Sequence, residues 1–229
     1  MIENGNGDGA FLSIAMDDIK KYYINGEQYD WVDRPRRLEK IFHRLRERAT
    51  VKLIKRYSRC NIVLDAGCGT GLITRHLDGT IIGLDINNWN ITRAHQHAPQ
   101  ACYIVADLEN LPLGNETIDL VVCTETLEHL SNPERTISEF ARILRPAGKL
   151  IGSVPHRHPV WNFRKMLLTT CPVKEPFHHQ YTTSQVKLML TGLKIEYLAR
   201  SIFGMSVFFV TEKVQPPQIF IHEPYETVE

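Results

Sequence analysis

The sequence predicts an α/β protein built on a mainly parallel sheet with helices on both faces. Three observations carry this. Short apolar runs recur through the middle of the chain, stretches of helical periodicity lie between most of them, and the first run leads into a glycine-rich turn. At 229 residues the chain is long enough for one such domain with a sizeable core, and too short for two ordinary domains with a linker.

Residues 1–30 carry weak patterning. From Arg36 to Tyr57, apolar residues at Leu38, Ile41, Phe42, Leu45, Ala49, Leu53, Ile54 and Tyr57 recur mostly at steps of three and four, which predicts an amphipathic helix opening after Pro35. The period then changes. Asn61 to Asp65, Thr80 to Asp85, Ala101 to Ala106 and Ile118 to Cys123 are short runs that suit buried strands. Asn132 caps a helix with Pro133 in its first turn, and the Arg145-Pro146-Ala147-Gly148 segment ends it after about Leu144. Lys149 to Pro155 supplies a fifth strand. Thr182 and Gln185 form a capping box for a helix that Gly192 closes, and Lys194 to Ala199 and Met205 to Thr211 read as two final strands.

Composition narrows the class. Hydrophobic residues make up 43% and charged residues 23%, no apolar run reaches bilayer length, and Met1 to Ala10 lacks the basic start and apolar stretch of a secretory signal. Cys60, Cys68, Cys102, Cys123 and Cys171 form an odd set without C-x-x-C spacing, which predicts reduced thiols in a cytoplasmic protein rather than a disulfide framework.

The strongest chemical signal is Val63 to Gly71, VLDAGCGTG, a strand running into a glycine turn and then a helix, where backbone amides are available to a ligand. A dinucleotide fingerprint would place its third glycine at Leu72; the spacing here is G-x-G-x-G. Asp85 ends the second strand, where a carboxylate can accept from both hydroxyls of a ribose or simply face water in a turn. Asp107 ends the third strand, where it can accept from an adenine amine, with the Leu108 amide available to a ring nitrogen, or cap a turn.

These residues resemble the class I S-adenosylmethionine-dependent methyltransferases, in particular the small-molecule branch that includes quinone-biosynthesis enzymes. Asp65 with Gly67, Gly69 and Gly71 matches that family's first motif, Asp85 followed by Ile86 its ribose-binding acid, and Asp107 with Leu108 its adenine-binding pair. Ile118 to Val122 matches its fourth strand and Arg145 to Leu150 its turn into the fifth, with Ala147 where the family commonly has a second glycine. The resemblance covers residues 36–212. It implies S-adenosylmethionine as cofactor, Thr124 and Glu125 beside its methionine end, and a seven-stranded, mostly parallel sheet whose last strand is antiparallel. It divides the chain into an N-terminal extension with the basic helix over 1–58, a methyltransferase domain over 59–212 and a tail over 213–229.

Methyl transfer from a sulfonium is an in-line displacement in which positioning contributes most of the rate, and a base is needed only when the acceptor must lose a proton. His129, after the fourth strand, is the candidate base; its alternative is to pack and cap the following turn. Glu125, Glu128 and His129 offer oxygen and nitrogen ligands close together, as in some relatives that hold a divalent ion beside the acceptor; the same letters occur in relatives with no metal, and no metal ligand is assigned. The segment over 156–180 is the expected acceptor lid, with His156, His158, Trp161 and His178 as acceptor-binding candidates; its apolar residues suit a lipid-like or aromatic acceptor, or ordinary core packing. The expected reaction is methyl transfer to an oxygen or carbon of such a small molecule. A non-catalytic cofactor-binding module engaging a protein or RNA is the alternative. The absence of Asn-Pro-Pro-Tyr argues against enzymes that methylate amino groups of bases or glutamine.

Arg34 to Arg59 holds eleven Lys/Arg against Glu39 and Glu47, although the net charge of the chain is +1. This basic helix reads as a solvated face or as a peripheral contact with an anionic membrane. Nucleic acid is not favoured, because Arg36, Arg37, Lys40, Arg44, Arg48, Lys52 and Lys55 lack interleaved aromatics.

Overall fold

A computed structural model describes residues 16–25, 37–57, 61–158 and 179–214. Two helices, α1 (Met16–Asn25) and α2 (Arg37–Tyr57), precede the sheet. Its elements follow as β1 (Ile62–Ala66), β2 (Thr80–Asp85), α3 (Asn88–His97), β3 (Cys102–Val105), β4 (Ile118–Thr124), α4 (Pro133–Ile143), β5 (Leu144–Pro155), α5 (Thr183–Met189), β6 (Lys194–Ser201) and β7 (Ser206–Glu212). The seven strands lie in the order β3-β2-β1-β4-β5-β7-β6. Every pair from β3 across to β5 is parallel, and β7 runs antiparallel to both β5 and β6. This is the seven-stranded sheet with an antiparallel last strand.

Successive residues of a strand point to opposite faces, so the central strands feed two cores at once. On one side Leu64, Val121 and Leu150 pack with Ile137, Phe140 and Ile143 of α4 and Val186 and Met189 of α5. On the other, Val63, Leu120, Val122, Ile151, Phe208 and Val210 pack with Leu53 and Ile54 of α2. Burying each such side chain contributes roughly 1.5–3 kcal/mol. Helices thus cover both faces. The apolar stripe of α2 does not stay buried toward its start, where Ile41 is 60% exposed.

The caps form as the sequence implies. Asn132 Oδ1 accepts from the Arg135 amide at 2.9 Å, with Pro133 in the first turn of α4. Thr182 and Gln185 complete a reciprocal capping box at α5, and Gly192 follows with φ +96°.

Three expectations are corrected, and one stretch left without an element gains one. The glycine turn after β1 does not open an α-helix; it continues into turns and one 3₁₀ turn, Thr74–His76. The β3 run is not a buried strand but the sheet edge, with Val105 50% exposed, because apolar content alone does not say which strand gains a second neighbour. β5 begins at Leu144 rather than Lys149, since Leu144 already pairs with Ile118. Residues 16–25, within the weakly patterned stretch, form a helix.

Ala147 sits in the left-handed region with φ +62°, and its turn is clamped between its own amide donating to Lys213 O at 3.0 Å and Lys213 N donating to Gly148 O at 2.8 Å. An L-residue there costs about 1–2 kcal/mol, and glycine gives back about 0.5–1 kcal/mol through its looser unfolded chain. Ala147→Gly is therefore expected to stabilise the fold by about 0.5–1 kcal/mol. A urea titration checks this: the midpoint rises with the slope unchanged, and a lower midpoint contradicts it.

Candidate active site

The carboxyl ends of β1, β2 and β4 open into a cavity of ≈ 270 Å³, the place where open parallel sheets bind ligands. Its wall includes Asp65, Gly67, Gly69, Asp85, Ile86, Asp107, Leu108, Thr124, Glu125 and His129, so ten of the sequence-predicted site residues converge there.

The glycine loop is shaped by backbone bonds to β2. The amides of Gly67 and Cys68 both donate to Leu84 O, at 2.8 and 2.9 Å. Gly67 has φ +74°, and a Cβ on it would fall 2.4 Å from Thr126 Cγ2, so only glycine lets the β1 and β4 loops meet. Gly69, at φ +52°, has nothing within 4 Å of where its Cβ would be. It presents bare backbone to the cavity. Gly71 does not line the cavity; its backbone packs on Ala94 of α3.

Two buried carboxyls stand behind this loop. Asp85 is 9% exposed, and its Oδ2 accepts from the Gly69 amide at 2.9 Å while Oδ1 accepts from Asn87 N at 2.9 Å and Asn90 Nδ2 at 3.1 Å. Burial raises its pKa, and these donors oppose the rise without cancelling it. Asp65 accepts from Thr74 Oγ1 at 2.6 Å. Burial pushes it up to about 7; the Thr74 hydroxyl works against the shift and the neighbouring Asp85 charge adds to it.

Helix α1 lies across the cavity. Lys20 Nζ bonds Asp107 Oδ2 at 2.7 Å and Glu109 Oε2 at 2.9 Å. Burial disfavours the Lys20 ammonium, but the bonds and charges of the two acids outweigh it and hold its pKa above the ordinary lysine value. Asp107 Oδ1 also accepts from Glu109 N at 2.9 Å, so this acid caps a turn as well as facing the cavity. Tyr23 reaches His129, with its hydroxyl 2.8 Å from Nδ1.

At the β4 end, Glu125 adopts φ +52° and accepts from Ser153 Oγ at 3.0 Å and from the guanidinium of Arg46 on α2. The second Arg46 nitrogen lies 2.6 Å from His43 Nδ1. Among the described residues, no three His, Cys, Asp or Glu side chains are grouped to hold a metal ion.

Sequence reasoning missed Lys20, Tyr23 and Arg46 as cavity residues. A faint signal existed for α1, since Met16, Ile19 and Tyr23 fall at steps of three and four. The acceptor candidates stand differently. His156 pairs with Tyr181 through a β-bridge and donates its amide to Met205 O at 2.8 Å, and His158 lies beside Gly204; neither lines the cavity. Trp161, His178 and residues 159–178 of the expected lid lie outside the described residues.

The sheet order, the glycine loop and the acid ending β2 give the chain the fold of the class I S-adenosylmethionine-dependent methyltransferases, a class whose cofactor is S-adenosylmethionine. Residues 64–152 match the family described as "Methyltransferase domain". Among curated proteins the chain is 37% identical over 114 residues to the ubiquinone biosynthesis O-methyltransferase of Coxiella burnetii, covering 47% of this chain and 47% of the relative. It is 26% identical over 169 residues to the demethylmenaquinone methyltransferase of Chlamydia pneumoniae, covering 66% of this chain and 72% of the relative. The chain thus spans about half the length of the ubiquinone-biosynthesis relative. Among solved structures, the magnesium protoporphyrin IX methyltransferase of Synechocystis PCC 6803 with bound SAH superposes with a TM-score of 0.64 at 18% identity, over 86% of this chain and 99% of that one.

The raised Asp65 pKa fixes a pH dependence. A carboxyl whose folded pKa lies near 7 holds a proton in the native state that the unfolded chain releases near 4, so its contribution to stability is present below about pH 4 and lost as pH rises toward 7. Replacing Asp65 by Asn, which cannot ionise but still accepts from Thr74, is expected to flatten the fall in unfolding free energy between pH 4 and pH 7. Urea unfolding at several pH values measures it. An unchanged slope would place Asp65 outside this titration.

Proposed function

We propose that the chain transfers a methyl group from S-adenosylmethionine to an oxygen or carbon of a small, lipid-like or aromatic molecule. The observation that carries the reading is the Asp85 carboxylate at the end of β2, holding the Gly69 amide at 2.9 Å on the wall of a cavity of ≈ 270 Å³. An acid there, on the wall of the cavity, fits a ribose diol. Gly69 leaves the open backbone against which a nucleoside moiety fits, and the G-x-G-x-G spacing with Leu72 after it disfavours a pyrophosphate.

In this reading Asp85 and Ile86 hold the ribose, Asp107 and the Leu108 amide take the adenine, and Asp65, Gly67, Thr124 and Glu125 line the methionine end. Arg46, paired with Glu125, adds a cation suited to an α-carboxylate. The donor supplies a methyl carried on a sulfonium. The chain aligns the acceptor, excludes water and, where the acceptor is a hydroxyl, removes a proton through His129. The names of the quinone-biosynthesis relatives support a greasy aromatic acceptor. Arg44, Arg48, Lys52 and Lys55 are exposed along α2, which supports a peripheral contact with an anionic membrane. No helix among the described residues is long and apolar enough to cross a membrane. Cys68, Cys102 and Cys123 are free thiols, in keeping with a cytoplasmic protein.

Titration calorimetry is expected to give binding of S-adenosylmethionine and S-adenosylhomocysteine, and Asp85→Ala to weaken both by roughly 1.5–3 kcal/mol, the cost of losing bonds to a charged acceptor. Binding of a nicotinamide dinucleotide in place of either would overturn the reading. Labelled donor incubated with protein and cell extract separates catalysis from a non-catalytic binding module, since only the enzyme labels a fraction.

A further inference from the structure

Helix α1 is tied to three places around the cavity. Lys20 bonds Asp107 and Glu109 on one side. One turn later, the Tyr23 carbonyl accepts from Asn87 Nδ2 at 2.6 Å, and Asn87 in turn donates its amide to Asp85. The Tyr23 ring crosses to the other end, where its hydroxyl is 2.8 Å from His129 Nδ1 and the two rings are 5.2 Å apart. The other ring nitrogen of His129, Nε2, faces the fully buried carboxyl of Glu128 at 3.9 Å.

We propose that Tyr23 is the residue that orients His129 and carries the acceptor's proton to it. This rests on the methyltransferase reading with a hydroxyl acceptor. The chemistry follows from which nitrogen can hold the proton. The Glu128 carboxyl, 3.9 Å from Nε2 and so acting through its field rather than a hydrogen bond, favours Nε2–H, which leaves Nδ1 as the acceptor and makes the Tyr23 hydroxyl its donor. With Nδ1 covered by Tyr23, no acceptor group can reach the imidazole lone pair directly. Tyr23 lines the cavity, and its hydroxyl is the group left to meet the acceptor.

The step balances. The acceptor oxygen forms its bond to the methyl carbon as the carbon–sulfur bond breaks, its electron pair going to sulfur and neutralising the sulfonium. The acceptor's O–H proton passes to Tyr23 Oη, and the proton Tyr23 held passes to His129 Nδ1. The positive charge that began on sulfur ends on the imidazolium, beside Glu128. Tyr23 is neutral before and after, so the relay needs no phenolate.

This assignment differs from a structural strut in one respect: a strut holds α1 in place, whereas an orienting donor fixes a tautomer. Nitrogen-15 chemical shifts of His129, read with and without S-adenosylhomocysteine, separate the two. The wild-type protein is expected to show a protonated Nε2 and a bare, hydrogen-bonded Nδ1, and Tyr23→Phe to show mixed tautomers or a shifted Nδ1 signal, with S-adenosylhomocysteine affinity within about twofold of wild type. His129 signals identical in both proteins would overturn the proposal. Lys20→Ala serves as the control for a loosened helix: it removes an α1 anchor without removing the Tyr23 hydroxyl, so a tautomer change in Tyr23→Phe that Lys20→Ala reproduces in full is also a contrary result. In cell extract with labelled donor, Tyr23→Phe is expected to slow labelling by roughly 10²-fold, the size of a positioned proton-transfer group. Labelling at the wild-type rate contradicts the relay. Absence of labelling by the wild type would instead count against the methyltransferase reading, and the nitrogen-15 result decides the tautomer assignment independently.

Discussion

The carboxyl edge depends on keeping one desolvated carboxylate supplied with donors. Asp85 ends β2 with only 9% of its surface exposed, and a charge so placed is tolerable only where hydrogen bonds replace water. Its donors come from Gly69, Asn87 and Asn90. One therefore belongs to the loop after β1 and the others to the entry into α3. Because β1 and β2 are paired in parallel, with Asp65 opposite Gly83, both turns leave the sheet at the same height, and the acid stitches them together. The loop geometry and the position of the acid are a single solution to a single desolvation problem.

The parts of the fold legible from residue pattern are those where local chemistry agrees with tertiary position. Asn132 with Pro133 and Thr182 with Gln185 mark helix starts because a cap is satisfied within four residues. The β4 and β5 runs are apolar on both faces because both faces are covered. Where the deciding contact is distant, the pattern goes silent. β3 is as apolar as its neighbours, and only the strand order makes it an edge. The segment after Gly71 carries helical letters, yet the loop must turn to deliver Thr74 to Asp65, and it stays in turns.

The same limit hid part of the site. Lys20 meets partners 87 and 89 positions further along, and Arg46 meets Glu125 after 79. Ten residues of helix with mixed polarity hold together through such contacts rather than through propensity. Arg46 was visible only as one cation in a basic run, and nothing local distinguishes it from exposed Arg44 and Arg48. Its orientation follows from Leu53 and Ile54 fixing which side of α2 meets the sheet, since residues seven and eight apart share a helical face.

The position of β7 has a consequence for how the protein is made. β7 is inserted between β5 and β6 although β6 precedes it in the chain, so β6 has no neighbouring strand until β7 is present. As the polypeptide leaves the ribosome, the strands from β1 to β5 can pair in succession, but β5 keeps an open edge and β6 waits unpaired until Glu212 has been synthesised. The nascent domain therefore carries an exposed apolar strand edge, with Ile151 and Val154 beside it, through the last stage of its synthesis. Completion of the sheet, the closing of that edge and the seating of Phe208 and Val210 under α2 therefore all depend on the same strand.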